Sequence, residues 1–247
     1  MRARIFNKSV NKYYISEVYG VINRAGDFYI VDDLINQENV ALVKYLDLDT
    51  KPPYKVNVEI IDYNPFSDGE WERVPQGIGG GYKEIFNNEE ALNKLLDEGT
   101  VSKKDLGLSD HSTKLSGWNY IESAEDIDYL MSEYSAFHDS VLKEMTYISG
   151  DFVENNMMTL QPVGNKQVRL VFNSDWAKEI EIILLSPRVC HLVPGEENYL
   201  SDIYDASIFI RDYMVYFFTS EFKEIPDDFD GTYFKSLGMM WRYNEEN

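Results

Sequence analysis

The chain has 247 residues, 44% of them hydrophobic and 14% aromatic, enough apolar material for one large domain or two ordinary ones and too much for a disordered chain. Its 43 Asp and Glu against 23 Lys and Arg give a net charge of -20, which argues against a phosphate-backbone or anionic-membrane partner and favours a basic one. A single cysteine, Cys190, excludes an intramolecular disulfide and any multi-cysteine metal site within one chain.

The opening "MRARIFNKSVNKYY" has arginines but no apolar run after them, so no secretory leader is expected, and nowhere is there an apolar stretch long enough to span a bilayer. A soluble, cytoplasmic protein is the expectation. The first third reads as strands. "EVYGVIN" and "FYIVDD" flank "RAGD", a hairpin turn around Gly26. "NVALVKYLDLD" places Val40, Leu42, Leu46 and Leu48 on one side, and in "YKVNVEII" Val56, Val58 and Ile60 alternate with Lys55, Asn57 and Glu59. These segments predict an antiparallel sheet.

Residues 64–81, "NPFSDGEWERVPQGIGGG", carry Gly and Pro without period and predict a long loop. Its glycines do not make a phosphate cradle, because no Gly-Lys-Ser/Thr ending follows and Tyr82 stands where a third spaced glycine is needed. A helix is predicted at about 87–98, with Asn87 as N-cap, Glu90 at N3, Ala91, Leu92, Leu95 and Leu96 on one face, and Gly99 closing it. Residues 100–122 are polar and glycine-punctuated and read as a connector, dividing an N-terminal domain, 1–122, from a C-terminal one, 123–247. Ser123 then caps a second helix over about 124–136, with Ile127, Leu130, Met131 and Tyr134 as its apolar stripe.

After His138 the pattern returns to strand. Val168, Leu170 and Phe172 alternate with Gln167 and Arg169, Ile180, Ile182 and Leu184 alternate with Glu179 and Glu181, and "IILL" predicts burial on both faces. "RVCHLV", "ASIFIRD", "MVYFFTS" and "YFKSLGMMWRY" are further strands. The class expected is α+β, mainly antiparallel sheet in both halves with two short amphipathic helices.

Candidate chemistry is sparse. His138-Asp139 contains the residues of an acid–base pair, but neighbours on a strand project to opposite faces, so the aspartate is not expected to orient that imidazole. Cys190-His191 has the same geometry, so a thiolate dyad would need His138 or His111. Flanked by Val189 and Leu192, Cys190 reads as a small core residue. The histidines lack the spacing of a helical metal pair. "PDDFDGTYFKSL" matches a calcium loop at Asp228, Asp230 and Gly231 but has Pro226 and Leu237 at the outer ligand positions, leaving a turn. No metal and no cofactor is implied.

Residues 121–155 hold nine acids, Glu122, Glu125, Asp126, Asp128, Glu133, Asp139, Glu144, Asp151 and Glu154, against Lys143 alone, the mark of a solvated helix face or of a docking surface for a cationic protein. The run through "FHDSVLKEM", "SDIYDASIFIRD" and the closing "GMMWRY" resembles a diffuse group of bacterial proteins in which an F-H-D-[SA] segment, here Phe137 to Ser140, opens a β-rich domain. Most members are uncharacterised and some look like immunity proteins of polymorphic toxin systems. The resemblance implies no agreed catalytic residues, and the clustered acidity, the 18 tyrosines and the lack of a complete catalytic constellation point to binding. The expectation is therefore a non-enzymatic acidic binding protein that neutralises a basic partner, possible contacts being Phe137, His138, Asp139, Glu125, Asp126 and Asp128. The alternative is a hydrolase or transferase using His138 or Cys190 in a cleft near loop 64–81.

Overall fold

The computed structural model describes residues 2–7, 12–24, 27–32, 39–46, 58–62, 79–81, 85, 88–108, 114–159, 166–195 and 202–244. The chain forms two compact units, Met1–Leu115 and Ser116–Asn247. Among the described residues no helix is long and apolar enough to cross a membrane.

The first unit contains β1 (Arg2–Asn7), β2 (Lys12–Arg24), β3 (Asp27–Asp32), β4 (Asn39–Leu46), β5 (Val58–Asp62), β6 (Gly79–Gly81), helix α1 (Glu89–Glu98) and β7 (Thr100–Ser102). The strands form one antiparallel sheet in the order β5-β1-β2-β3-β4-β7, with β6 also on β2. The two strands of the expected hairpin pair as far as Arg24 with Asp27, and the residues between them lie outside the described ones. Helix α1 buries Ala91, Leu92 and Leu95 against Tyr19, Val31, Val40 and Val101.

Three expectations are corrected here. The N-cap of α1 is Asn88, not Asn87: its Oδ1 accepts from Ala91 N at 3.1 Å while its Nδ2 donates to Asp105 O at 2.8 Å, and that second bond ties the cap to the chain beyond the helix. Gly79–Gly81 is not loop but β6, where glycines permit close backbone pairing with Gly20, Val21 and Ile22; the rest of the 64–81 loop lies outside the described residues. The connector begins as a strand, β7 on β4, and then buries Leu106 and Leu108. In β5, Ile61 is buried beside a register shift opposite Arg2 and Ala3.

The second unit contains β8 (Asn119–Tyr120), α2 (Ala124–Glu133), β9 (Ser140–Ile148), β10 (Phe152–Glu154), β11 (Met157–Thr159), β12 (Gln167–Ser174), β13 (Ile180–His191), β14 (Asp202–Ile203), β15 (Ser207–Arg211), β16 (Met214–Phe218) and β17 (Tyr233–Tyr243). Its antiparallel sheet runs β14-β9-β12-β13-β17-β16-β15, and β8 pairs with β17, which puts the expected 122/123 boundary inside this unit. The molecule is β-rich, with two ten-residue helices among the described residues, so the α+β description holds only loosely.

Ser123 caps α2 as expected, and Asp126 completes a capping box by accepting from Ser123 N at 2.8 Å. Leu130 and Tyr134 enter the core with Ile127 and Met131 packed at its margin, as the predicted stripe requires. Beneath them lie Phe137, Val168, Leu170, Phe172, Ile182, Phe217 and Trp241. "RVCHLV" is not a separate strand but the continuation of "IILL" through a bulge between Pro187 and Val189, and Ile182 to Leu185 are all buried, as predicted.

On the other face, Glu181 of β13 is buried between Arg169 of β12 and Arg242 of β17, with Glu144 of β9 bonded to Arg169 at 2.8 Å and Trp118 stacked 4.3 Å from the Arg242 guanidinium. Beyond β9, β10 and β11 make a separate hairpin turned by Asn155 and Asn156, both left-handed. It leaves Val153, Met157 and Met158 exposed, the methionines at 70%.

Candidate functional site

Helix α2 must give way to β9 while sending Phe137 inward, and the chain does so through a left-handed turn. Ser135, Ala136 and Phe137 have φ of 48°, 52° and 65°, and Asp139 has 51°, although none is glycine. Left-handed backbone costs a residue with a Cβ about 1–2 kcal/mol, so the surroundings must impose it. They do so with four bonds: Phe137 N to Tyr134 O and His138 N to Ser135 O at 2.9 Å, Ala206 N to Ala136 O at 2.9 Å, and Ser140 Oγ to Phe137 O at 2.7 Å. Phe137 itself is 0% exposed, its ring within 5.2 Å of Phe172 and Phe217 and 4.8 Å of Tyr134.

This turn overturns the expectation that His138 and Asp139 point apart. They precede the strand rather than lying on it, and left-handed Asp139 swings its carboxylate back, so His138 Nδ1 lies 3.0 Å from Asp139 Oδ2. In the neutral tautomer with its proton on Nδ1, the nitrogen beside this carboxylate, Nε2 is the free lone pair. Both side chains are about 40% exposed, 39% and 40%.

Two exposed aromatics flank the pair, and the sheet explains their placement. At its start β9 lies between β12 and β14: Ser140 pairs with Ser174 on one side and with Ile203 on the other. The residues just past those partners, Trp176 and Tyr204, therefore emerge on either side of His138-Asp139, from strands about 10 Å apart. Trp176 Nε1 donates to Asp139 Oδ2 at 2.9 Å, and the Tyr204 ring lies 4.9 Å from the imidazole. Trp176 is 68% exposed and Tyr204 71%. Asp175, Asp202 and Asp205 stand beside them in sequence, so the three segments present four carboxylates, with Asp139, against Lys178.

The other residues singled out from sequence are scattered. Glu125 and Asp128 are exposed on α2, whereas Asp126 is engaged in the cap. Of the remaining acids in 121–155, Glu144 and Asp151 are ion-paired to Arg169 and Lys166, and Glu133 accepts from the Tyr243 hydroxyl. Phe137 is core and contributes to the site only by holding the turn.

Cys190 is not the core residue expected: it is exposed near the far end of β13, where the strand has passed its bulge. Enough protein still surrounds its sulfur that desolvation raises the thiol pKa, away from a thiolate at neutral pH. Strands rise about 3.3 Å per residue, so Cys190 lies on the order of 30 Å along β13 from Ile180, the end nearest His138, and cannot form a dyad with it. His191 bonds Gly231 O at 2.7 Å, and His111 lies outside the described residues.

Among the described residues no three His, Cys, Asp or Glu converge as metal ligands. The first unit has an open polar depression of about 360 Å³ lined by Asn88, Glu90, Ala91, Lys94, Val101 and Asp105, which holds no nucleophile with a base beside it. In comparisons with known proteins, no family model, no curated protein and no solved structure matches the chain.

Proposed function

We propose that this chain is a cytoplasmic, non-enzymatic acidic binding protein, immunity-like in kind, that neutralises a basic protein partner. The observation that carries the reading is the row Trp176, Asp139-His138, Tyr204: two large aromatics left in solvent around a carboxylate on a molecule of net charge -20. Exposed Trp and Tyr with charge complementarity is the composition of a protein-binding centre. The apolar β10–β11 hairpin adds a second surface that water covers poorly. The short F-H-D-S resemblance to immunity-like proteins points the same way.

The test is affinity capture from lysate of the source cell at low and moderate salt, with the wild type and a Trp176→Ala/Tyr204→Ala double variant as baits. A basic protein held by the wild type, released by salt and missed by the variant is the expected result. Capture of no basic protein, or equal capture by both baits, counts against the reading.

A second reading, a hydrolase or transferase, is favoured by the 3.0 Å His138–Asp139 contact, which equips Nε2 to take a proton from water or a hydroxyl. It would make His138→Asn inactive against whichever ester or phosphodiester the wild type turns over. Absence of turnover by the wild type across such a panel removes it.

A further inference from the structure

We infer that the row formed by Trp176, Asp139-His138 and Tyr204 receives an arginine side chain of the partner, its guanidinium on Asp139 and its flat faces against the exposed rings. This rests on the basic-partner reading above and narrows it to one side-chain chemistry.

Asp139 Oδ2 accepts from Trp176 Nε1 and lies 3.0 Å from His138 Nδ1, while among the described residues no donor reaches Oδ1. The carboxylate is thus held in one orientation with an acceptor to spare. The pair that carries the spare acceptor is flanked by two ring systems that are more than two-thirds exposed, Trp176 on Asp139 and Tyr204 on His138. A cation fits the neighbourhood, because the segments that carry the row also hold Asp175, Asp202 and Asp205, next to Trp176 and Tyr204 in sequence, and their charge repels an anionic ligand. A purely apolar ligand would leave those carboxylates to be desolvated without compensation.

Between cations the geometry selects arginine. A guanidinium is planar, stacks on Trp and Tyr faces, gives up hydration more readily than an ammonium and can meet a carboxylate edge while doing so. Lysine offers a compact, strongly hydrated charge and cannot satisfy flat rings and a carboxylate edge together. The left-handed turn adds preorganisation, since Asp139 is fixed before any ligand arrives.

The experiment is calorimetric titration of the full chain with octa-arginine and octa-lysine peptides, repeated on Trp176→Ala/Tyr204→Ala and on Asp139→Asn, with urea unfolding of each variant as the fold control. The expected result is octa-arginine bound about tenfold more tightly than octa-lysine, with that margin lost in both variants while octa-lysine affinity changes less than about twofold in the aromatic variant. Equal affinity for the two peptides, or a margin that survives removal of both rings, overturns the arginine site and leaves attraction of basic partners by charge alone. If neither peptide binds, the arginine site and the basic-partner reading both fall.

Discussion

The indole N–H of Trp176 reaches Asp139 Oδ2 at 2.9 Å, joining residues 37 positions apart, and the same oxygen lies 3.0 Å from His138 Nδ1. One carboxylate oxygen therefore holds together side chains from the β12–β13 connection and the turn before β9.

A double-mutant cycle measures that bond. Trp176→Phe and Asp139→Asn should each change stability by less than about 1 kcal/mol, because the groups are exposed, with a coupling of about 0.5–1 kcal/mol between them. Urea unfolding of the four proteins checks it, and a coupling indistinguishable from zero would mean that the bond does not persist in solution.

Ala136 has φ 52° and ψ 24°, a conformation that glycine adopts without steric cost. Ala136→Gly should therefore stabilise the second unit by about 0.5–1 kcal/mol, the relief of Cβ strain exceeding the entropy that glycine adds to the unfolded chain. Ala136→Val should destabilise by about 1–2 kcal/mol. Denaturation midpoints report both, and a destabilising glycine would contradict the assigned backbone.

Burial by itself would raise the Glu181 carboxyl, but Arg169 and Arg242 outweigh it and hold its pKa below the usual carboxylate value. A depressed folded-state pKa gives stability that is complete above the unfolded carboxylate's pKa of about 4.3 and is lost as pH falls through the lower folded value. Glu181→Gln lacks this contribution at every pH. It should be about 2 kcal/mol less stable than wild type at pH 7, below the ~3–5 kcal/mol of a fully buried pair because the guanidiniums keep some solvent, and the gap should narrow toward pH 3. Unfolding free energies at the two pH values test it; an undiminished gap in acid would be the contrary result.

The acidic helix divides into structural and free charges. Asp126→Lys removes the acceptor for Ser123 N and for Glu122 N, at 3.0 Å, and should cost about 1–2 kcal/mol. Glu125→Lys and Asp128→Lys should stay within about 0.5 kcal/mol of wild type in stability while slowing association with a basic partner. Stopped-flow association rates beside thermal unfolding separate the two effects, and an unchanged association rate for the double reversal would remove the helix from the docking surface.

Elements governed by local chemistry were legible in the sequence. The Ser123 cap, the Leu130–Tyr134 stripe and the doubly buried "IILL" of β13 follow from spacing and residue type. The site was legible only in its middle. His138 and Asp139 drew attention, but strand parity led to the wrong relative orientation, because three successive left-handed residues with side chains have no compositional signature. Trp176 and Tyr204 belong to no motif. The available signal was an aromatic set among turn residues, "NSDWAK" and "SDIYDA", where local period calls for none. Their convergence depends on β9 lying between β12 and β14, a pairing of segments distant in the chain that no local pattern encodes.

The position of β17 bears on the order in which the second unit can be assembled. It is the last of the described strands in sequence, yet it lies between β13 and β16 and carries the Arg242 that closes on Glu181 from 61 positions away. Until residues 233–243 are available, β13 and β16 each present an unpaired edge, and premature joining of those edges would exclude the strand that belongs there. Folding of this unit is thus governed by long-range closure, slow relative to helix formation, and the time it spends open is when the chain is most exposed to aggregation.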